Sequence, residues 1–162
     1  MDYLWSPWRY RYLTGAEKSE GCVFCRIASD DDDERNLIVF RGQFNFVVLN
    51  RFPYTSGHLM VVPYLHAPAL SDADEVTCAE MMTLVRASEG HLRAAYRPDG
   101  LNLGMNIGQS AGAGIAGHIH MHVLPRWHGD ANFMTTVAET RVLPEELELT
   151  WRRVRAAFLT SG

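Results

Sequence analysis

The 162-residue sequence has few cysteines, no long apolar run and no excess of basic side chains. Its three cysteines are too few, and odd in number, for the disulfide framework of a small secreted protein. No apolar stretch approaches the ~20 residues that a membrane-spanning helix needs. The N-terminus opens with an acid and aromatic residues, without the basic-then-apolar order of a signal peptide. We therefore expect a cytoplasmic protein with no membrane contact.

Acidic residues outnumber basic ones, with 19 aspartates and glutamates against 15 lysines and arginines, for a net charge of −4. A protein that coats nucleic acid normally carries a basic surface, so a nucleic-acid polymer is not an expected partner. The charge does not exclude a small anionic ligand held by a few local donors. Hydrophobic residues make up 47% of the chain, which is enough to form a globular core.

The length corresponds to one ordinary domain, or to one domain with an additional terminal segment. Residues 1–20 are rich in aromatic residues and arginine without clear periodicity, which predicts an N-terminal arm that packs on this domain or on a partner subunit. Residues 21–162 are predicted to form the single domain. The acidic run Asp30–Glu34 is expected to be a solvated loop, with a cation site as the weaker alternative, because adjacent carboxylates repel one another.

Short apolar runs predict five strands, and two longer segments place apolar residues at helical spacing. The predicted helices are Ser71–Tyr96, with Ser71 as N-cap, and Pro144–Leu159, which begins at a proline. This order predicts an α+β fold with an antiparallel sheet. The predicted strands are Leu37–Arg41, Phe44–Asn50, His58–Tyr64, Leu101–Ile107 and Ile119–Leu124, the first two joined as a hairpin at Gly42-Gln43.

The segment His118–Leu124 alternates strictly between histidine and an apolar residue. On a strand this period puts His118, His120 and His122 on one face, about 6.5–7 Å apart, where they could line one phosphate-sized groove. One such histidine could be structural, but three in register make that interpretation improbable. Two functional interpretations remain open. The triad is a metal site, or its middle imidazole is a nucleophile toward phosphorus and the neighbouring rings bind the anion.

A glycine-rich segment leads directly into the triad. Glycines let backbone N–H groups converge on an anion, although a merely flexible loop is the plain alternative. Residues 112–117 match G-x-G-x-x-G, but that dinucleotide-binding motif opens a helix, and here a strand pattern follows. Phosphate binding is therefore the favoured interpretation. The glycines are Gly104, Gly108, Gly112, Gly114 and Gly117.

His118–Leu124 resembles the signature of the histidine-triad (HIT) superfamily, and the resemblance extends over residues 20–133. It includes the segments 49–53 and 57–63, which resemble the family's central strands, and 106–108 with 111–112, at its phosphate-binding loop. Pro125-Arg126-Trp127 and the segment 129–133 resemble the branch that contains diadenosine-polyphosphate hydrolases and phosphorylases.

The resemblance implies an α+β fold with a five-stranded antiparallel sheet, usually in a homodimer. It also implies an enzyme that cleaves a nucleotide at its α-phosphate. It implies that His120 is the nucleophile, that His118 maintains the protonation and geometry of the site, and that His122 contacts the phosphate or leaving group. Asn50 would bind ribose. The phosphate would be held by Asn106 and by the backbone of Gly112, Ala113, Gly114 and Ile115.

Relatives close to the hydrolases carry glutamine four residues before the first histidine, where this chain has Gly114, and the loop is one residue longer. These departures leave hydrolysis and phosphorolysis, with inorganic phosphate as acceptor, both open. A weakly active nucleotide-binding module and a metallohydrolase that uses the triad as catalytic ligands are the alternatives from other classes.

The pair Cys22-x-x-Cys25 has three interpretations: a redox motif, two buried thiols, or half of a zinc site. A redox pair would follow a strand and begin a helix in a βαβ unit, and only the predicted arm precedes it. A zinc site needs two more ligands. A subset of HIT proteins is similar in carrying this pair with a histidine just after the strand that ends in Val-Pro. That resemblance implies a structural zinc held by Cys22, Cys25, His66 and His118.

Overall fold

The computed structural model describes residues 21–130 and 145–160. A five-stranded sheet lies at its centre in the order β1-β2-β3-β5-β4, and all neighbouring strands are antiparallel. The predicted α+β fold is confirmed, whereas the predicted arm lies outside the described residues. The strands are β1 (Ile38–Arg41), β2 (Asn45–Leu49), β3 (Leu59–Pro63), β4 (Gly100–Gly104) and β5 (Met121–Arg126). The helices are α1 (Val23–Ala28), α2 (Asp33–Asn36), α3 (Glu75–Tyr96) and α4 (Leu147–Leu159).

The core lies around the central strands β2 and β3, which are buried along their whole length. The long helix α3 contributes Met81, Val85 and Leu92, and α4 contributes Trp151, whose indole N–H donates to the carbonyl of Ile38 at 2.9 Å. Each fully buried large apolar side chain contributes about 1.5–3 kcal/mol, so this core gives the site a rigid base. Within the described residues, no helix has the length and apolarity required to cross a membrane.

The predicted N-cap of the long helix, Ser71, is wrong. Asp74 caps α3 instead, and its carboxylate accepts a hydrogen bond from the backbone N–H of Thr77 at 2.8 Å. Ser71 lies in a preceding turn of 3₁₀ helix, Leu70–Asp72. An N-cap oxygen must reach the N–H two or three residues ahead, a condition that Asp74 meets at the true start of the helix. The last helix begins at Leu147, and its predicted start at Pro144 lies outside the described residues.

The acidic run is not wholly a solvated loop. Asp32 caps the four-residue helix α2 by accepting from the backbone N–H of Arg35. The carboxylate of Asp33 forms ion pairs with Arg41 at 2.8 Å and with Arg155 of α4 at 3.2 Å. The acidic run therefore ties the segment before β1 to the last helix, which sequence periodicity cannot indicate because α2 is too short to show a period.

The strand that carries the triad begins later than predicted. β5 starts at Met121, so His122 lies within it, whereas His118 and His120 precede it. The backbone N–H of Ile119 donates to the carbonyl of Ala67 at 2.8 Å, on the segment after β3. This irregular entry lets the first histidine face a different environment from the other two.

Candidate active site

The ring of His120 has one nitrogen fixed by the backbone. Its Nδ1 lies 2.9 Å from the carbonyl oxygen of His118, and because a carbonyl can only accept, Nδ1 must carry the proton. The neutral ring then has its lone pair on Nε2. Burial lowers the pKa of His120, only partly offset by this hydrogen bond, so the ring is neutral at physiological pH. The middle histidine therefore has the protonation state that nucleophilic attack requires.

His122 contacts a fourth buried histidine, His58, which directly precedes β3. Nε2 of His58 lies 2.8 Å from Nδ1 of His122. The backbone N–H of Tyr54 donates to Nδ1 of His58 at 3.2 Å, so Nδ1 is the acceptor and Nε2 carries the proton. His58 therefore donates to Nδ1 of His122, which places the His122 proton on Nε2. The tautomers of this pair follow from a single backbone N–H.

The environment keeps His122 neutral as well. Burial, together with repulsion from His120, lowers the pKa of His122 to about 4. The His120 and His122 rings lie edge to face with their centroids 4.8 Å apart. The site thus combines a lone pair on one imidazole with an N–H donor on the next, which suits attack on a phosphorus atom and stabilisation of the oxygen that departs.

Asn50, the predicted ribose ligand, lies next to this histidine pair. Its amide oxygen accepts from the backbone N–H of Phe52 at 2.9 Å, which turns the amide nitrogen toward Nδ1 of His58, 3.4 Å away. Asn50 therefore packs against the site from the end of β2. Its contact with ribose stays a prediction.

The predicted phosphate loop is a compact turn. Gly108 and Gly112 have positive φ angles of 82° and 88°, which favour glycine. The backbone N–H groups of Gly112 and Ala113 donate to carbonyls within the loop, at Gln109 and Gly108. Two of the predicted phosphate donors are therefore already engaged in the turn. The remaining predicted phosphate ligands, Gly114, Ile115 and Asn106, stay predictions.

His118 faces away from this pair and joins the cysteines. Nδ1 of His118 lies 3.3 Å from Sγ of Cys22 and 3.6 Å from Sγ of Cys25. Nδ1 of His66 lies 3.3 Å from Sγ of Cys25 and 3.2 Å from Nδ1 of His118. The alternation predicted that the three triad histidines line one common groove, and this prediction is wrong. The irregular chain before β5 turns the ring of His118 away from the other two.

The four side chains have the spacing of a tetrahedral metal site. Their ligand atoms all lie within 4.8 Å of one another. Tetrahedral zinc with bonds of about 2.3 Å to sulfur and 2.0 Å to nitrogen separates its ligand atoms by about 3.3–3.8 Å, close to the distances found. Nε2 of His118 donates to the carbonyl of Pro63 at 2.9 Å, which leaves the Nδ1 lone pair directed at the cluster. The residues present therefore fit a metal ion.

Sequence reasoning missed two residues of this site. His58 and Phe24 are both buried, and the Phe24 ring lies 5.0 Å from that of His120, centroid to centroid. A histidine directly before the apolar run that forms β3 was the available signal for His58. Phe24, between the two cysteines, had no signal because α1 is only six residues long.

The chain is similar to several known proteins. The HIT domain family matches residues 33–129 of the chain. AP-4-A phosphorylase from Mycobacterium tuberculosis is 40% identical over 160 residues, which cover 94% of this chain and 82% of that protein. The crystal structure of a zinc-bound histidine triad family protein from Mycobacterium smegmatis has a TM-score of 0.72 and 31% identity, covering 87% of this chain and 95% of that one. A hypothetical histidine triad nucleotide-binding protein from Sulfolobus tokodaii has a TM-score of 0.70 and 30% identity, covering 86% and 93%.

The family match begins after the cysteine pair, at residue 33. It nevertheless covers more than half of the chain and contains all three triad histidines. Together with the extended similarity to the mycobacterial relatives, the match identifies the chain as a member of the HIT family.

Proposed function

We propose that this HIT protein is an enzyme that cleaves a dinucleoside polyphosphate at its α-phosphate through a covalent nucleotidyl-histidine on His120. The observation that carries the proposal is the fixed tautomer of His120, whose Nδ1–H donates to a backbone carbonyl and whose Nε2 is left with the lone pair. A purely structural role for a buried histidine does not require a free Nε2 lone pair beside a second imidazole of fixed tautomer, whereas nucleophilic attack does.

The first step would form a bond between Nε2 of His120 and the α-phosphorus and break the bond from that phosphorus to the bridging oxygen. The His120 ring gains positive charge, which the His118 carbonyl stabilises by accepting from Nδ1. The polyphosphate departs as an anion, since the second ionisation of a phosphate lies near pH 6. Its leaving oxygen therefore needs a hydrogen-bond donor to stabilise the negative charge, and it does not need to receive a proton. Nε2–H of His122, oriented through His58, would be that donor.

In the second step an acceptor oxygen attacks the phosphorus and the bond to His120 breaks, which restores the neutral ring. We propose inorganic phosphate as the preferred acceptor. The relative that is 40% identical is named as an AP-4-A phosphorylase, and this chain has Gly114 where the resemblance to the hydrolases implies glutamine. Phosphate is also already an anion at neutral pH, whereas water needs a base to take its proton.

Product analysis with diadenosine tetraphosphate, with and without inorganic phosphate, tests this function. Phosphorolysis gives ADP and ATP only when phosphate is present, and hydrolysis gives AMP and ATP regardless of phosphate. The variant His120→Asn should give neither pair of products while it still binds nucleotide. Absence of turnover in the wild-type protein under both conditions would favour the alternative, a weakly active nucleotide-binding module.

We further propose that Cys22, Cys25, His66 and His118 hold a zinc ion. The spacing of the four ligand atoms and the second hydrogen bond of His118 support it, as does the zinc-bound relative from M. smegmatis. A closed site of two cysteines and two histidines is of the structural type, so the ion would clamp α1 to the segments after β3 and before β5. The metallohydrolase alternative is disfavoured, since the metal-competent group in the described part of the chain includes neither His120 nor His122.

A homodimer is proposed on the basis of the sheet edge. Among the described strands β4 pairs only with β5, so its other side offers free backbone groups to a second copy. A surface groove runs between β4 and α3, and its lining includes Leu103 on β4 and Met82 on α3. These two side chains are 49% and 56% exposed. Location in the cytoplasm, and a single domain over residues 21–162, remain predictions from the sequence.

A further inference from the structure

Phe24 packs on both a residue of the cluster formed by Cys22, Cys25, His66 and His118 and the proposed nucleophile, His120. It occupies the second position between Cys22 and Cys25 and is only 3% exposed. Its ring packs edge to face on that of His118 with centroids 5.4 Å apart, and at a tilt of 51° on that of His120 with centroids 5.0 Å apart. One aromatic ring therefore contacts both a cluster ligand and the reactive imidazole.

The position of Phe24 depends on its two cysteine neighbours. The helix α1 has six residues, and its N-cap, Cys22, makes no side-chain capping hydrogen bond. A helix this short is not stable by itself and takes its place from tertiary contacts. The two thiols at the cluster and the buried side chains of Phe24 and Ile27 hold its N-terminal turn and inner face, and Arg41 donates to the carbonyls of Ile27 and Ala28 at its C-terminal end. Because Phe24 lies between the two cysteines, the contacts that hold the thiols also restrain the aromatic ring.

The His120 ring needs such a support. Its hydrogen bond to the His118 carbonyl fixes one atom, Nδ1, and a single bond leaves the ring free to tilt about that contact. The His122 ring stands 4.8 Å away, at 75° to it, and Phe24 packs at 51°. These two rings pack against the imidazole of His120 and limit its tilt, and of the two only Phe24 belongs to the helix that begins at the cysteine pair.

We infer that Phe24 is a positioning residue that transmits the geometry of the Cys22/Cys25/His66/His118 cluster to the His120 ring. The inference rests on the proposed function. It assigns the cluster a second link to the reactive imidazole, beside the His118 backbone carbonyl. The cluster would then set the orientation of the nucleophile as well as contribute to stability.

The test compares Phe24→Leu, which keeps apolar volume but removes the ring, with the matched variant Phe40→Leu. Phe40 lies on β1 and stacks on Phe158 with centroids 5.5 Å apart. Zinc-reconstituted proteins would be measured for zinc content, melting temperature, and kcat and KM with diadenosine tetraphosphate and phosphate. In addition, ¹⁵N NMR of the histidine side chains without substrate reports the tautomer of His120.

We expect Phe24→Leu to retain its zinc and a melting temperature similar to that of Phe40→Leu. Its kcat should fall about tenfold to a hundredfold, because a small misplacement of a reacting group costs that much, while KM changes less than threefold. The His120 signals should change from one tautomer with a protonated Nδ1 to an exchanging mixture. Phe40→Leu should retain both the wild-type kcat and the wild-type His120 signals.

The inference is overturned if Phe24→Leu keeps its kcat and His120 spectrum, or if its loss of activity accompanies loss of zinc or equals that of Phe40→Leu. Should Phe24→Leu fold poorly, Phe24→Tyr keeps the ring and must retain the wild-type spectrum. A wild-type protein that shows no turnover would refute the proposed function, and the NMR comparison would then decide the positioning role alone.

Discussion

The reactivity proposed for His120 comes from one backbone carbonyl, and that of His122 from one backbone N–H. The carbonyl of His118 keeps the proton on Nδ1 of His120, and the N–H of Tyr54 sets the tautomer of His58 and through it that of His122. Backbone groups cannot ionise or change tautomer. The proton positions of both proposed catalytic imidazoles are therefore fixed by the fold.

His58→Phe tests this arrangement at the level of one hydrogen bond. The change leaves Nδ1 of His122 without its buried donor, so kcat should fall roughly tenfold to a hundredfold, in line with the cost of an unsatisfied buried group, with KM changed much less. His58→Gln, whose amide can donate to the same atom, should recover part of the loss. Steady-state kinetics measure both variants.

The exposed residue His128 provides the control, since its backbone N–H and not its ring is bonded to Asp99. His128→Phe should have wild-type kinetics. A His58→Phe protein with kcat within twofold of wild type would show that His122 does not depend on His58 for its orientation.

At the scale of the elements, the strict histidine alternation predicted the triad and the apolar runs predicted all five strands. The pairing of His58 with His122 was beyond the sequence, because these residues are 64 positions apart and meet only when β3 pairs with β5. The divergence of His118 was missed because two-residue periodicity assumes a regular strand, and β5 becomes regular only at Met121. The short helices α1 and α2 gave no periodic signal.

The cluster formed by α1 and the segments around β3 and β5 predicts the effect of losing zinc. Cys25→Ser should bind less than one equivalent of zinc. Its melting temperature should fall by roughly 10 °C, which corresponds to about 3 kcal/mol for a chain of this size, because the clamp on α1 is lost. Metal analysis and thermal unfolding measure these effects.

Cys78→Ser is the matched control, because Cys78 lies on α3 outside the cluster. It should retain full zinc content and nearly the wild-type melting temperature. Full zinc content in Cys25→Ser would contradict the proposed ligand set.

At the scale of the whole molecule, burial of neutral histidines makes stability depend on pH. The pKa of His122 is about 4 in the folded protein and near 6.5 when unfolded, so the unfolded state binds more protons between these values. The stabilisation is complete above about pH 6.5 and is lost as the pH falls toward 4. Between about pH 6.5 and pH 4, the free energy of unfolding measured in urea should fall by on the order of 1–2 kcal/mol less in His122→Asn than in the wild-type protein. This value is discounted for solvent screening.

An unfolding free energy of His122→Asn that falls as steeply as that of wild type would show that His122 is not buried in its neutral form.

Assembly is tested at the sheet edge. Leu103→Glu places a charge in the proposed interface beside β4 and should convert a dimer into a monomer in light scattering. Leu149→Glu changes a leucine of similar exposure, 52% against 49%, on α4, and should remain dimeric. A monomeric wild-type protein, or a dimer that survives Leu103→Glu, would contradict the proposed interface.

The covalent step is the central claim, and trapping the intermediate tests it most directly. Wild-type protein mixed with diadenosine tetraphosphate radiolabelled at the α-phosphates, then rapidly quenched in alkali, should retain label that is stable to alkali, labile to acid and located on His120. The His120→Asn protein should retain none. Turnover by the wild-type protein without any such label, or equal labelling of His120→Asn, would contradict the account.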